Sequence, residues 1–123
     1  MNDFDQKALN YRLLKLIQGN GDLTQRQMAQ EIGISVGKLN YCISELTKKG
    51  LVKVLRFKNS KDKRAYVYLL TPHGLEEKVK LTLSFLRSTI EEYEEKRKQI
   101  KELSTELKEY GIVDISADKS LDV

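Results

Sequence analysis

Apolar side chains recur at helical spacing along most of this chain and at strand spacing only between about Leu51 and Leu70. Phe4, Ala8, Leu9, Leu13, Leu16 and Ile17 return every three or four residues, which predicts a helix over Asp3 to Gln18, stopped by Gly19-Asn20-Gly21. A second start follows at once. In Leu23-Thr24-Gln25-Arg26-Gln27-Met28, Thr24 and Gln27 form a capping box, and Leu23 and Met28 stand where a hydrophobic staple needs them. The helix is short, because Gly33 offers a stop one residue after Ile32. Only Ile34 then separates Gly33 from Ser35, the N-cap of a third helix running to about Lys49, so the two helices meet through a tight turn. Leu39, Cys42, Ile43 and Leu46 give that third helix one narrow apolar stripe, and Gly37, Lys38, Asn40, Tyr41, Ser44 and Glu45 fill its other face.

Leu51 to Phe57 and Arg64 to Leu70 are rich in Val, Leu, Phe and Tyr, with Asn59-Ser60 as turn formers between them, so they predict two antiparallel strands. Thr71-Pro72 supplies an N-cap and a proline at the first helical position of a last helix reaching Tyr110. Val79, Leu83, Leu86, Ile90, Tyr93, Ile100 and Leu107 follow its alternating three-and-four step, with Arg97 and Ser104 as polar breaks. A long helix with one apolar stripe is unstable alone, and pairing with a second copy removes the stripe from water. The expected fold is mostly α with a small antiparallel β-hairpin, a winged helix-turn-helix followed by a long C-terminal helix. Residues 1–71 form the first domain, 72–110 a coiled-coil-like dimerisation helix, and 111–123 a flexible tail.

Charge sharpens this picture. The chain has 123 residues and a formal charge of +4, enough for one modest core. Its charge is uneven: 13 Lys/Arg against 6 Asp/Glu up to Gly74, then 9 against 12. Lys48 to Arg64 alone holds eight cationic residues and one acid, Asp62. A helix with small and amide side chains on its free face, next to a cationic finger, suits a grooved polyanion, which points to double-stranded DNA. Asn40 has the donor and acceptor that pair bidentately with adenine, Lys38 donates to guanine or phosphate, and Gly37 allows close backbone approach. Ser35 and Thr24, at helix starts, offer amides and hydroxyls to phosphates, and Tyr41 and Ser44 complete the reading face. Tyr41 either serves the groove or leans on the wing.

No apolar run is long enough to span a bilayer, and the polar start Met1-Asn2-Asp3-Phe4-Asp5 is unlike a signal peptide, so a cytoplasmic protein without a membrane partner is expected. A lone Cys42 and a lone His73 argue against a metal cage, and no cofactor motif is present. Cys42 lies on the buried stripe and reads as core, and His73 as surface. The acids Glu91-Glu92 and Glu94-Glu95 are spaced for solvation and for ion pairs with Lys96, Arg97 and Lys98, which argues against an enzyme.

The wing segment Ser60-Lys61-Asp62-Lys63-Arg64, followed by Leu69-Leu70-Thr71-Pro72-His73-Gly74, resembles the Asp-x-Arg wing and Leu-Thr-x-x-Gly exit of the MarR family. Gly33-Ile34-Ser35-Val36-Gly37-Lys38-Leu39-Asn40-Tyr41-Cys42 and Tyr66-Val67-Tyr68-Leu69-Leu70-Thr71-Pro72 are similar to the small MarR-type regulators associated with exopolysaccharide loci. The resemblance implies a homodimeric transcriptional regulator with the third helix, 35–49, in a major groove. It also implies a wing, 58–64, whose Arg64 enters a minor groove while Asp62 holds it in aim, with Lys58, Lys61 and Lys63 on flanking phosphates. One long helix follows the wing where ordinary members carry paired helices that help build an effector pocket. The family pattern allows a small-molecule effector, but no residue here supports one. The rival expectation is a winged-helix adaptor that binds protein rather than DNA.

Overall fold

The computed structural model describes residues 2–57 and 65–112. Its order is α1 (Asp3–Gly19), α2 (Gln25–Ile32), α3 (Val36–Lys48), β1 (Val52–Phe57), β2 (Ala65–Leu70) and α4 (Pro72–Glu109). The expected winged helix-turn-helix with a long last helix is thus the observed architecture. Two compact units divide the chain, Met1–Leu83 and a second beginning at Ser84.

Each helix of the first unit starts on a side chain that answers its free amides. The Asp5 N–H donates to Asn2 Oδ1 at 2.8 Å at the head of α1. At α2 both arms of the capping box are present: Gln27 N–H to Thr24 Oγ1 at 3.1 Å, and Thr24 N–H to Gln27 Oε1 at 2.9 Å. Thr71 caps α4 by accepting from the Gly74 N–H at 2.9 Å, while its own hydroxyl donates to the Gly50 carbonyl. The C-terminal end of α2 is held from outside, since the Arg12 guanidinium of α1 donates to the Ile32 carbonyl at 2.9 Å.

Burial follows the stripe expected of α3, whereas Leu14 of α1 and Leu81 of α4 are buried outside the apolar positions read from the sequence. Leu13 and Leu14 from α1, Met28 from α2, and Leu39, Cys42 and Leu46 from α3 are almost wholly removed from solvent. Val52 and Tyr68 of the hairpin and Leu81 of α4 are buried as well. β1 and β2 pair antiparallel, Val52 opposite Leu70 and Phe57 opposite Ala65. β1 begins one residue later than the apolar pattern suggests, because the Leu51 N–H closes α3 by donating to the Leu46 carbonyl at 2.9 Å. The Leu51 carbonyl in turn accepts from the Thr71 N–H at 3.1 Å.

Two glycines are needed for close approach. A Cβ on Gly74 would sit 2.0 Å from the Leu51 carbonyl oxygen, and one on Gly21 would sit 2.0 Å from that of Tyr68. At the second place the Tyr68 N–H donates to the Gly21 carbonyl at 2.8 Å, so the loop between α1 and α2 is stitched to β2. α4 is a continuous helix of 38 residues, about 57 Å long. Its end is a turn in which the Ile112 N–H donates to the Leu107 carbonyl at 3.1 Å. The expected tail beyond residue 112 lies outside the described residues.

Candidate nucleic-acid interface

The turn between α2 and α3 sets the geometry of this face. Gly33 takes φ 84°, a left-handed conformation that suits glycine, and the Gly33 and Ile34 N–H groups both donate to the Ala29 carbonyl, at 2.8 and 3.0 Å. Ser35 then caps α3, its hydroxyl oxygen accepting from the Lys38 N–H at 3.1 Å. With Leu39, Cys42, Ile43 and Leu46 turned inward, helical spacing turns Gly37, Asn40, Tyr41 and Ser44 outward, and all four are exposed. Thr47 and Lys48 continue that face by one more turn.

The individual candidates differ in their surroundings. Thr24 and Ser35 are exposed at helix starts, where each hydroxyl accepts one intrahelical bond and keeps its own hydrogen for an outside acceptor. A Cβ on Gly37 would meet nothing within 4 Å, so open space surrounds the first turn of α3. Lys38 is half-buried. Tyr41 is 62% exposed and stands in solvent, whereas Tyr66 and Tyr68 are the aromatic residues that face α3 from the hairpin. Lys58, Lys61, Asp62, Lys63 and Arg64 lie outside the described residues.

Between α3 and the hairpin runs an open groove of about 510 Å³, lined by Asn40, Ser44 and Thr47 on one side and Val54, Tyr66 and Tyr68 on the other. Gln25 closes one end. Its Nε2 donates to the Tyr68 hydroxyl at 3.2 Å, and its Oε1 accepts from Asn40 Nδ2 at 3.2 Å. Gln25, Thr47 and the exposed Arg26 are absent from the residues picked out by sequence. Thr47 follows Ser44 at the helical step and was legible; the reach of Gln25 to Asn40 depends on how α2 and α3 cross and was not. The first unit also carries exposed cations nearby in sequence: Lys53 and Arg56 on β1 are exposed, and Lys48 forms a surface ion pair with Glu45 at 3.5 Å.

Along α4, Val79, Leu83, Leu86, Ile90, Tyr93 and Ile100 are 46–62% exposed, and Leu107 is half-buried. Leu103, equally exposed, widens the apolar side, lying three residues after Ile100 and four before Leu107. Among the described residues no group of His, Cys, Asp or Glu is placed to hold a metal ion, and no helix is long and apolar enough to cross a membrane. Cys42 is buried, and His73 is exposed beside Glu76, its Nδ1 3.4 Å from Oε2.

Residues 2–53 match a protein family described as winged helix-turn-helix DNA-binding. Among solved structures, the chain is similar to the PcaV transcriptional regulator of Streptomyces coelicolor, at 19% identity and TM-score 0.59 over 81% of this chain and 78% of that one. In complex with its natural ligand, that regulator aligns at 24% identity and TM-score 0.56 over 63% of this chain, which spans only 54% of the relative's length. A mutant of S. aureus MepR bound to an oligodeoxyribonucleotide aligns at 20% identity and TM-score 0.57, over 84% of this chain and 78% of its own. A MarR/EmrR family transcriptional regulator from Acinetobacter sp. ADP1 aligns at 20% identity and TM-score 0.52, over 82% and 72%. No curated protein matches the chain by sequence.

Proposed function

From the winged helix-turn-helix fold that this chain shares with MarR-type transcriptional regulators, we propose that it is a sequence-specific, double-stranded-DNA-binding regulator acting as a homodimer. The observation that carries the reading is the outer face of α3. Its first turn is open, its amide, phenol and hydroxyl groups stand in solvent, and the N-termini of α2 and α3 are capped by exposed Thr24 and Ser35. In this reading α3 enters the major groove, with Gly37, Lys38, Asn40, Tyr41 and Ser44 against base edges, and Thr24 and Ser35 meet phosphates. Lys58, Lys61, Asp62, Lys63 and Arg64 form the minor-groove wing, as the family resemblance implies. The oligonucleotide bound to the MepR relative supports the choice of partner.

The apolar side of α4 supplies the dimer contact. Val79, Leu83, Leu86, Ile90, Tyr93, Ile100 and Leu107 form a seam about 42 Å long, and a second copy covers it with matching residues. Residues 1–71 then bind DNA, and 72–110 pair the protomers. Exopolysaccharide genes are the targets to test first, on the resemblance to that subgroup.

Selection of a preferred duplex from a random pool, followed by affinity measured against salt, tests the reading. Neutralising about six phosphates per dimer gives a slope of log affinity against log salt near −5. A flat response, or no enrichment of any sequence, overturns it and leaves the protein-binding adaptor.

A further inference from the structure

The three-residue relay from Asn40 through Gln25 to Tyr68 joins α3, α2 and β2, and neither end of it belongs to the capping of a helix. Tyr68 is 4% exposed, so its hydroxyl is a fixed point carried by the strand. Gln25 is half-buried at the first position of α2, directly after its Thr24 cap. Its amide is used at both ends: the nitrogen donates to Tyr68 Oη and the oxygen accepts from Asn40 Nδ2, each at 3.2 Å. An amide oxygen has no hydrogen to give, so it must face the nitrogen end of Asn40. Of the Asn40 amide, one N–H is thereby committed, and the other N–H and Oδ1 remain for an outside partner.

That remaining pair is what adenine asks for in the major groove: an acceptor for its N6 hydrogen and a donor for its N7. Guanine presents two acceptors there, O6 and N7, and an amide held in this way opposes Oδ1 to one of them. The terminal torsion of asparagine is broad and roughly two-fold, so a free Asn40 turns its NH2 end toward either base. We propose that Gln25 is a specificity-determining positioning residue, which, anchored on Tyr68, fixes the Asn40 amide in the orientation that accepts adenine and refuses guanine. The inference rests on the reading of α3 as a base-contacting helix. It adds a residue outside that helix, and it ties base choice to the position of the hairpin.

The test uses full-length protein and the duplex selected from a random pool, with all four base pairs placed at each position. Asn40→Ala first identifies the position that Asn40 reads, through loss there of a preference of about tenfold. At that position Gln25→Ala is expected to cut adenine-over-guanine preference to about threefold or less, and Tyr68→Phe to reduce it in the same direction. Gln25→Glu, which still accepts from Asn40 while Tyr68 donates to it, restores the ratio, although its charge lowers affinity for all sequences alike. In an Asn40→Ala background, Gln25→Ala changes the ratio no further. Thermal unfolding of each variant verifies that the domain is intact; Gln25→Glu serves as the control should Tyr68→Phe fail to fold. Full retention of preference in Gln25→Ala overturns the proposal, as does an additional loss in the Asn40→Ala background, which makes Gln25 itself the reader. If Asn40→Ala relaxes no position, base reading by Asn40 is what fails, and the proposed role of Gln25 falls with it.

Discussion

On the proposed reading, Gly37 carries opposite demands in the free protein and against DNA. In the free protein an added methyl meets nothing, and glycine costs a helix roughly 0.5–1 kcal/mol relative to alanine. Gly37→Ala is therefore expected to raise stability by about 0.5 kcal/mol in a urea titration, while weakening binding to the selected duplex. Unchanged affinity would remove close backbone approach as the reason for a glycine there. Gly74 is the reverse case. Its Cβ would press on the Leu51 backbone, so Gly74→Ala should lower the unfolding free energy by about 1–3 kcal/mol. Residue types told part of this in advance. Cys42 was readable as core because it shares a stripe with Leu39 and Leu46, and Asn40 as a candidate for base contact because its side chain has the right donor and acceptor. Gln25 was not readable, since its partners lie 15 and 43 positions away.

Elements were more legible than contacts, because their ends are written in short-range chemistry. Thr24 with Gln27, Ser35 two residues after Gly33, and Thr71 before Pro72 each start a helix where they were expected to. Thr24→Ala removes one arm of the capping box and is expected to cost about 1 kcal/mol by denaturant unfolding. If Thr24 also donates to phosphate, the same change weakens all duplexes equally. The start of β1 was harder to place. Leu51 looks like a strand residue by type, yet its N–H belongs to α3 and its carbonyl to Thr71, a division of labour that only the folded backbone reveals.

At the scale of the whole molecule, the proposed dimer makes the seam on α4 the place to test assembly. Leu86→Glu with Ile90→Glu keeps good helix formers while placing charge in the seam, so light scattering should find a monomer whose first unit still unfolds cooperatively. Its salt slope should fall to about −3, half that of the dimer. A dimer that survives both changes would place the contact elsewhere. The stitch between Gly21 and Tyr68 bears on a different hazard, the templating of one copy's hairpin by another's. It occupies part of the outer edge of β2, and among the described residues β1 pairs with β2 alone. The open edge of the sheet is thus β1, and the exposed Lys53 and Arg56 lie on it. Charged side chains on an edge strand repel a second strand that approaches to extend the sheet. The same cations that favour a polyanion also keep concentrated protein from joining edge to edge, so neutralising them should shorten its life in solution.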